Sequence, residues 1–386
     1  MIPPCPPEVC YGCSACVDAC PAKALSFCEG SDTYLHVEVD ASKCIGCGKC
    51  ADVCPRVRQL EGRVPQYAFA AVNRKDSVRR DSSSGGAFSA VVEAIAEKDG
   101  FRHTIYVCGA EMTDSLTVRH LCVKFTNSGD IARFHKSKYI CSDCSGVLGE
   151  IRDLVSDKRN IVVFSGTPCQ VAALRLIVGD SYNGILICVD FACHGALSQR
   201  LFNEYRNERE AAKGAAMSRF EFKNKERLPN GTIYSRSAKI VFADGTYEYA
   251  TRYNDAFLAL YYNAKAPLRE SCWSCNFSDE VRYSDITLCD AWGINEKYQE
   301  LNPFEGVSGI CFNTEIGMEY AELIAKRMFL YPCDFNFLKK HNGPLGGKAF
   351  HDAIPKSARD WLFSTVLAGA SFSDSVKRYY SELGLK

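Results

Sequence analysis

Eight cysteines within the first 55 residues stand at a spacing suited to holding iron. Cys10, Cys13, Cys16 and Cys20 precede Pro21, and Cys44, Cys47, Cys50 and Cys54 precede Pro55, so the phrase C-x2-C-x2-C-x3-C-P occurs twice. In each copy, three closely spaced thiolates can wrap one face of a cubane cluster, while the fourth, followed by a proline that turns the chain away, reaches the other cluster. The expected ligand sets are therefore crossed. Cluster I takes Cys10, Cys13, Cys16 and Cys54, and cluster II takes Cys44, Cys47, Cys50 and Cys20. The phrase repeats with matching neighbours, Tyr11-Gly12-Cys13 and Ile45-Gly46-Cys47, which implies a pseudo-twofold module. Zinc sites usually pair C-x2-C with a second pair about 12–20 residues on, a plan these cysteines do not follow. A disulfide framework needs an oxidising compartment, yet Pro3, Pro4, Cys5 and Pro6 stand where an apolar leader would run. The 22 cysteines are thus expected in a reduced cytoplasm, that of an anaerobe.

The twofold cysteine phrase resembles a bacterial-type ferredoxin domain with two 4Fe-4S clusters. At 386 residues the chain is too long for that module alone, so a larger body must follow. Lysine plus arginine equals aspartate plus glutamate, 46 of each, so no global field favours nucleic acid or an anionic membrane. No apolar run approaches the roughly 18 residues that span a bilayer; the best, 185–192, is broken by Asp190.

The elements that must position this chemistry follow from punctuation and periodicity. The cluster module is expected over 1–62, closed by the polar stretch 61–66 with its Gly and Pro. A second domain is expected over 67–386, with strands and helices alternating. Strands are predicted at 67–73, 104–111, 116–125, 161–165, 185–192, 285–290 and 307–312. Helices are predicted after the loop 79–86 (carrying Phe88, Val91, Val92 and Ile95), at 146–156, after Gly166-Thr167-Pro168, at 197–213 and at 255–263. From Met217, alternation and the pair Asp244-Gly245 suggest an inserted antiparallel hairpin, and the tail from Ile316 reads as mainly helical.

Several residues of the body have chemistry to offer. Residues 82–86, Ser-Ser-Ser-Gly-Gly, open a predicted helix, where free N–H groups either favour a phosphate or simply form a glycine turn. Cys169 and Cys193 each follow a predicted buried strand, and loops after strand C-termini share one rim of an α/β sheet. With Cys272 and Cys275 they make either a third cluster site or two buried thiols beside a separate C-x2-C pair that holds zinc or nothing. Asp285 and Asp290 flank a buried strand and either orient cofactor ligands or cap turns. His194, next to Cys193, is either a proton carrier or a structural histidine. Cys5, Cys28, Cys108, Cys122, Cys188, Cys289, Cys311 and Cys333 read as packing residues.

Taken in order, six segments are similar to the coenzyme F-420 hydrogenase/dehydrogenase β-subunit family. They are Ser83-Ser84-Gly85-Gly86, Lys136-Ser137-Lys138-Tyr139, Gly166-Thr167-Pro168-Cys169-Gln170, Cys193-His194-Gly195, Cys272-x2-Cys275 and the stretch 284–293 around Asp290-Ala291-Trp292-Gly293. The resemblance implies an α+β chain in which the two-cluster ferredoxin module is followed by a mixed α/β flavin-binding body. It also implies that FAD is held by Ser83, Ser84, Gly85, Gly86, Lys136, Lys138, Tyr139 and Thr167, and that a third 4Fe-4S cluster sits on Cys169, Cys193, Cys272 and Cys275. Cys141 and Cys144 form an extra C-x2-C outside that pattern, either alternative ligands or inert.

Clusters carry single electrons whereas hydride chemistry needs two, so clusters ending at a flavin convert one into the other. The expected function is an iron–sulfur flavoprotein oxidoreductase passing single electrons from ferredoxin-type clusters to FAD, for hydride transfer to or from an organic substrate. His194 is its expected catalytic residue. Two alternatives are an oxidoreductase subunit for the deazaflavin coenzyme F-420 and a non-catalytic electron relay in a hydrogenase or dehydrogenase complex. Expected partners are a ferredoxin or dehydrogenase subunit and a small-molecule hydride donor or acceptor. No nucleic acid and no membrane span are expected.

Overall fold

A computed structural model describes residues 3–226, 228, 231–233, 236–263, 266–347 and 354–384. The N-terminal module carries one antiparallel hairpin, β1 (Leu25–Glu29) with β2 (Leu35–Val39), beside two single-turn helices, Ala15–Asp18 and Lys49–Asp52. Each of these helices starts inside a C-x2-C-x2-C run, which is how the repeat of the sequence becomes a repeat of structure.

The body is built on an eight-stranded sheet. Its strands are β3 (Tyr67–Asn73), β4 (Thr104–Met112), β5 (Val118–Lys124), β6 (Asn160–Ser165), β7 (Ile185–Phe191), β11 (Ile286–Asp290), β12 (Ser308–Phe312) and β13 (Met328–Cys333). Between β7 and β11 the chain makes a separate three-stranded antiparallel sheet: β8 (Met217–Phe222), β9 (Ser237–Phe242) and β10 (Tyr247–Thr251). The large sheet runs β13-β3-β12-β11-β7-β6-β4-β5. Its middle, β11-β7-β6-β4, is parallel, and antiparallel strands close both sides. The parallel strands are near-continuous apolar runs, as strands covered on both faces must be: four of the six residues of β6 and five of the seven of β7 are buried.

Helix Ala87–Asp99 covers one face, burying Val91, Val92 and Ile95 as their spacing predicts. Helices Val147–Val155 and Pro168–Val178 cover the other, where Ala15 of the N-terminal module joins their core. The inserted sheet packs with helices Gln199–Lys213, Ala256–Tyr262, Lys356–Leu367 and Phe372–Glu382 around a second, aromatic-rich core.

Two readings of the sequence change here. The tail contains β13, an edge strand of the large sheet, as well as helices. Pro332 lies within it, and an edge tolerates the missing N–H. Cys108 and Cys122 are directly opposite each other in β4 and β5 and form a disulfide, where packing alone was expected. In the polar stretch after the cluster module, Arg63 makes a backbone bridge with Arg282 of the body. Among the described residues no helix is long and apolar enough to cross a membrane.

Candidate functional site

The N-terminal module brings the crossed cysteine sets together. Cys10, Cys13, Cys16 and Cys54, drawn from both copies of the phrase, line one cavity with Cys5. The Cys54 thiol contacts Cys5 Sγ at 3.9 Å, and hydrogen bonding with Cys5 draws the Cys10 and Cys54 thiols down, toward the thiolate that a metal requires. In the second set, burial raises the Cys50 thiol, and Cys20 and Cys47 add to it, so Cys20 of the first phrase lies in the field of the second. Cys47 is exposed and Ile45 is 69% exposed, leaving this end of the module at the surface. No three His, Cys, Asp or Glu side chains among the described residues converge as they would on a single metal ion. A cubane, whose thiolates sit at separate corners, asks for a wider set.

A third cysteine set forms on the body. The turn after β6 is a capping box: Thr167 N–H donates to Gln170 Oε1 at 2.9 Å and the Thr167 hydroxyl caps Gln170 N–H. That turn presents Cys169, with its sulfur 3.1 Å from Thr167 Oγ1. The Thr167 hydroxyl is therefore engaged with the cap and with Cys169. Cys193 follows β7, the neighbouring parallel strand, so both cysteines stand on the C-terminal rim. Cys272 lies in the short helix Glu270–Trp273, and Cys275 lies just beyond it. Burial raises all four thiols, and they also act on one another. Cys169 feels Cys275 and Cys193; Cys272 feels Cys141, Cys275, Cys193 and Cys169. Thiols buried together resist ionising until a cation neutralises them, so this donor set fits an iron–sulfur cluster. Cys141 arrives at the same place, whereas Cys144 is turned away, 3.2 Å from His120 Nδ1 and accepting from Gln170 Nε2 at 3.1 Å.

The first and third sets adjoin. Cys13 and Cys169 lie in each other's field. Ser271 Oγ donates to the Cys10 carbonyl at 2.9 Å, and the ring of Tyr11 packs edge-on to Phe277 at 5.3 Å.

On the other side of Cys193, reached through His194, lies a group of cations beside the loop 82–86. Loop 82–86 is pinned to the sheet: Gly85 N–H donates to Ser308 Oγ at 2.9 Å and Ser84 Oγ donates to the Val307 carbonyl at 3.0 Å. A Cβ on Gly85 would stand 2.2 Å from the Ala71 carbonyl oxygen, so only glycine permits this approach. Gly86 then starts helix Ala87–Asp99 without a side-chain cap. Ser83 Oγ accepts from Ser137 N–H at 2.5 Å, which joins the loop to the 136–139 segment.

Lys225 spans the same loop, bonding the carbonyls of Arg79 and Ser84. Burial brings its ammonium down to about 7, and Lys136, Arg79 and Lys223 push the same way. Lys223 pairs with Asp290 and lies 5.6 Å from the Trp292 ring, with Arg236 5.7 Å from that ring. Three of the five cations have a carboxylate partner, Arg79 with Glu305 at 3.7 Å, Lys136 with Glu221 at 3.9 Å and Lys223 with Asp290; the positive excess that remains fits a diphosphate, and the loop with its open helix N-terminus adds N–H donors. Lys138 points elsewhere, to the carbonyls of Arg133 and His135, and burial lowers it to about 7. Tyr139 is a core residue stacked on Tyr261 at 4.1 Å.

His194 lies between the pocket and the third cysteine set. Burial lowers its imidazole to about 4, with Asp290 opposing and Lys223 and Arg236 assisting. The sequence reading missed Lys223, Lys225 and Arg236 because single basic residues on an inserted sheet belong to no motif. Their only signal was their place just after the alternating run that begins at Met217.

Comparison with known proteins divides the chain in the same way. Residues 9–57 match the 4Fe-4S dicluster domain. Residues 159–332 match the family described as the C terminus of the coenzyme F-420 hydrogenase/dehydrogenase beta subunit. That match holds Cys169, Cys193, Cys272, Cys275 and Trp292, and leaves the loop 82–86 and the segment 136–139 outside it. No curated protein matches. A xenon-derivatised structure of the F-420-reducing NiFe hydrogenase complex from Methanosarcina barkeri is similar with a TM-score of 0.48 and 15% identity, over 78% of this chain and 95% of that one. The chain is thus an iron–sulfur protein in which a stretch matching the 4Fe-4S dicluster domain precedes one similar to the C terminus of the coenzyme F-420 hydrogenase/dehydrogenase beta subunit.

Proposed function

We propose that this protein is an iron–sulfur flavoprotein oxidoreductase, with a third 4Fe-4S cluster on Cys169, Cys193, Cys272 and Cys275 and FAD in the cationic pocket. The reading is carried by one observation: four cysteines from three separate segments meet beside Cys13 of the first set. When bound, the clusters supply one-electron transfer and the flavin supplies two-electron exchange with an organic substrate.

The residues divide the work by position. Loop 83–86, Lys136, Lys225 and Arg79 hold the diphosphate, while Lys223, Arg236 and Trp292 line the far side. Lys138 and Tyr139 serve the pocket indirectly, the first by tying down its own loop and the second by packing beneath it. Tyr261, which feels both Cys193 and Cys272, stacks on Tyr139 and so forms a dry wall between the third cysteine set and the pocket. His194, neutral at neutral pH, takes up and releases a proton beside Asp290.

The test is iron, sulfide and flavin counting on anaerobically purified protein, with Cys169→Ala and Cys272→Ala as controls. About twelve irons and one FAD are expected, with each variant losing about four irons and keeping the signals of the N-terminal clusters. About eight irons and no flavin would leave a simple electron relay. The family's name raises the deazaflavin coenzyme as the organic partner; absence of any hydride transfer from photoreduced protein to that coenzyme would remove it.

A further inference from the structure

Arg269 is a buried cation that has no carboxylate of its own among the described residues. It is 5% exposed, and its Nη1 donates to the Leu35 carbonyl at 2.9 Å. Its guanidinium carbon lies 4.9 Å from the centre of the Tyr34 ring, and its Nε–H has no partner among the described residues. Asp32, the carboxylate that feels it, is already bonded to His36 at 2.7 Å. The other buried arginines near the cysteines are different: Arg282 is paired with Asp190 at 2.7 Å and Arg359 with Glu270 at 3.3 Å.

The groups around Arg269 are the cysteines themselves. Cys141, Cys10 and Cys272 all act on it, the second from the N-terminal module and the third from the body. The loop carrying Cys10 and Cys13 is shaped to it: Gly12 has φ +64°, and a Cβ there would stand 2.7 Å from Arg269 Nη2. A charge so buried is unfavourable unless an anion lies close. A cubane on four thiolates carries net negative charge, and a one-electron reduction adds one more negative charge, with the electron coming from an external reductant and no proton taken up.

We propose that Arg269 is a positioning residue shared by the two cysteine sets, a buried countercharge that favours the reduced state of the clusters on Cys10, Cys13, Cys16 and Cys54 and on Cys169, Cys193, Cys272 and Cys275. This rests on the three-cluster reading above. Cluster potential responds to nearby charge and hydrogen bonding, so removing one close cation makes reduction harder. The second set, on Cys20, Cys44, Cys47 and Cys50, lies outside this arrangement and serves as an internal reference.

The experiment is an EPR-monitored titration with dithionite on the full anaerobic chain, comparing wild type with Arg269→Met and Arg269→Lys, alongside iron counts. In R269M the equilibrium constant for reducing both adjoining clusters is expected to fall at least tenfold, equal to about 59 mV for a one-electron couple. R269K is expected to stay close to wild type, and the exposed cluster is expected not to move. If R269M does not retain iron, Arg269→Gln keeps a donor without the charge and carries the same comparison. Midpoints in R269M or R269Q that match wild type, or a shift in R269K as large as theirs, would overturn the proposal. Wild-type protein with about eight irons would overturn the three-cluster reading and the shared role with it. Twelve irons with unmoved midpoints would overturn the role of Arg269 alone.

Discussion

Asp190→Ala should destabilise the protein and release iron from the body. Both side chains of the Arg282–Asp190 pair are buried, at 1% and 0% exposure. Asp190 accepts from Arg282 Nη2 at 2.7 Å and from Thr287 Oγ1 at 2.6 Å. Arg282 also donates to the carbonyls of Phe277 at 3.4 Å and Asp279 at 3.3 Å, so it ties the segment just after Cys275 to the strand that leads to Cys193. Removing the carboxylate strands a guanidinium in the core, which costs about 3–5 kcal/mol. That is a large share of a stability of about 5–15 kcal/mol. Removing both charges in D190L/R282M leaves no stranded ion and should cost clearly less than D190A. The assay is urea unfolding of the anaerobic full chain followed by far-UV circular dichroism, with iron counted on the folded protein before unfolding. D190A should lose about four irons, because Cys275 loses its anchor. A loss of under about 1 kcal/mol in D190A, or a double variant as unstable as the sum of the single ones, would refute the reasoning.

Two further outcomes follow from the electrostatics. Burial lowers His120 to about 4, below its ordinary 6.5. The unfolded chain therefore binds more protons between those values, and stability should fall as pH drops from 6.5 toward 4, by up to about 1.4 kcal/mol per unit. Denaturation midpoints of wild type and His120→Asn across that window check this, and parallel slopes would contradict it. Lys225→Met removes a cation whose bonds in the pocket are to the carbonyls of Arg79 and Ser84, and should raise the dissociation constant for FAD about tenfold, or roughly 1.4 kcal/mol. Fluorescence titration of flavin-free protein measures it, and an unchanged constant would exclude Lys225 from the phosphate site.

Much of this arrangement was legible in the residues because it is written locally. The twofold cysteine phrase marks its own domain, and the apolar runs of β6 and β7 with their following turns place Cys169 and Cys193 on one rim. What was not legible depends on contacts distant in sequence. Cys108 and Cys122 look unpaired until the β4–β5 register sets them opposite each other. β13 contains a proline and reads as no strand until the sheet offers it an edge. Lys225 and Arg269 lie in no motif; each matters only because folding leaves a cation where nearby anionic groups are few.

The N-terminal module is packed into the body. Tyr34 is 1% exposed in the body's own core, and its hydroxyl donates to the carbonyls of Ala196 and Pro267 at 3.1 Å each. Thr33 bonds Ser198 at 2.6 Å, and Asp18 accepts from the N–H groups of Gly146 and Gly149 at the start of helix Val147–Val155. Such a module cannot swing between partners; its first cysteine set is fixed against the third. What this packing leaves open is the end of the second set, where Cys47 and Ile45 are exposed.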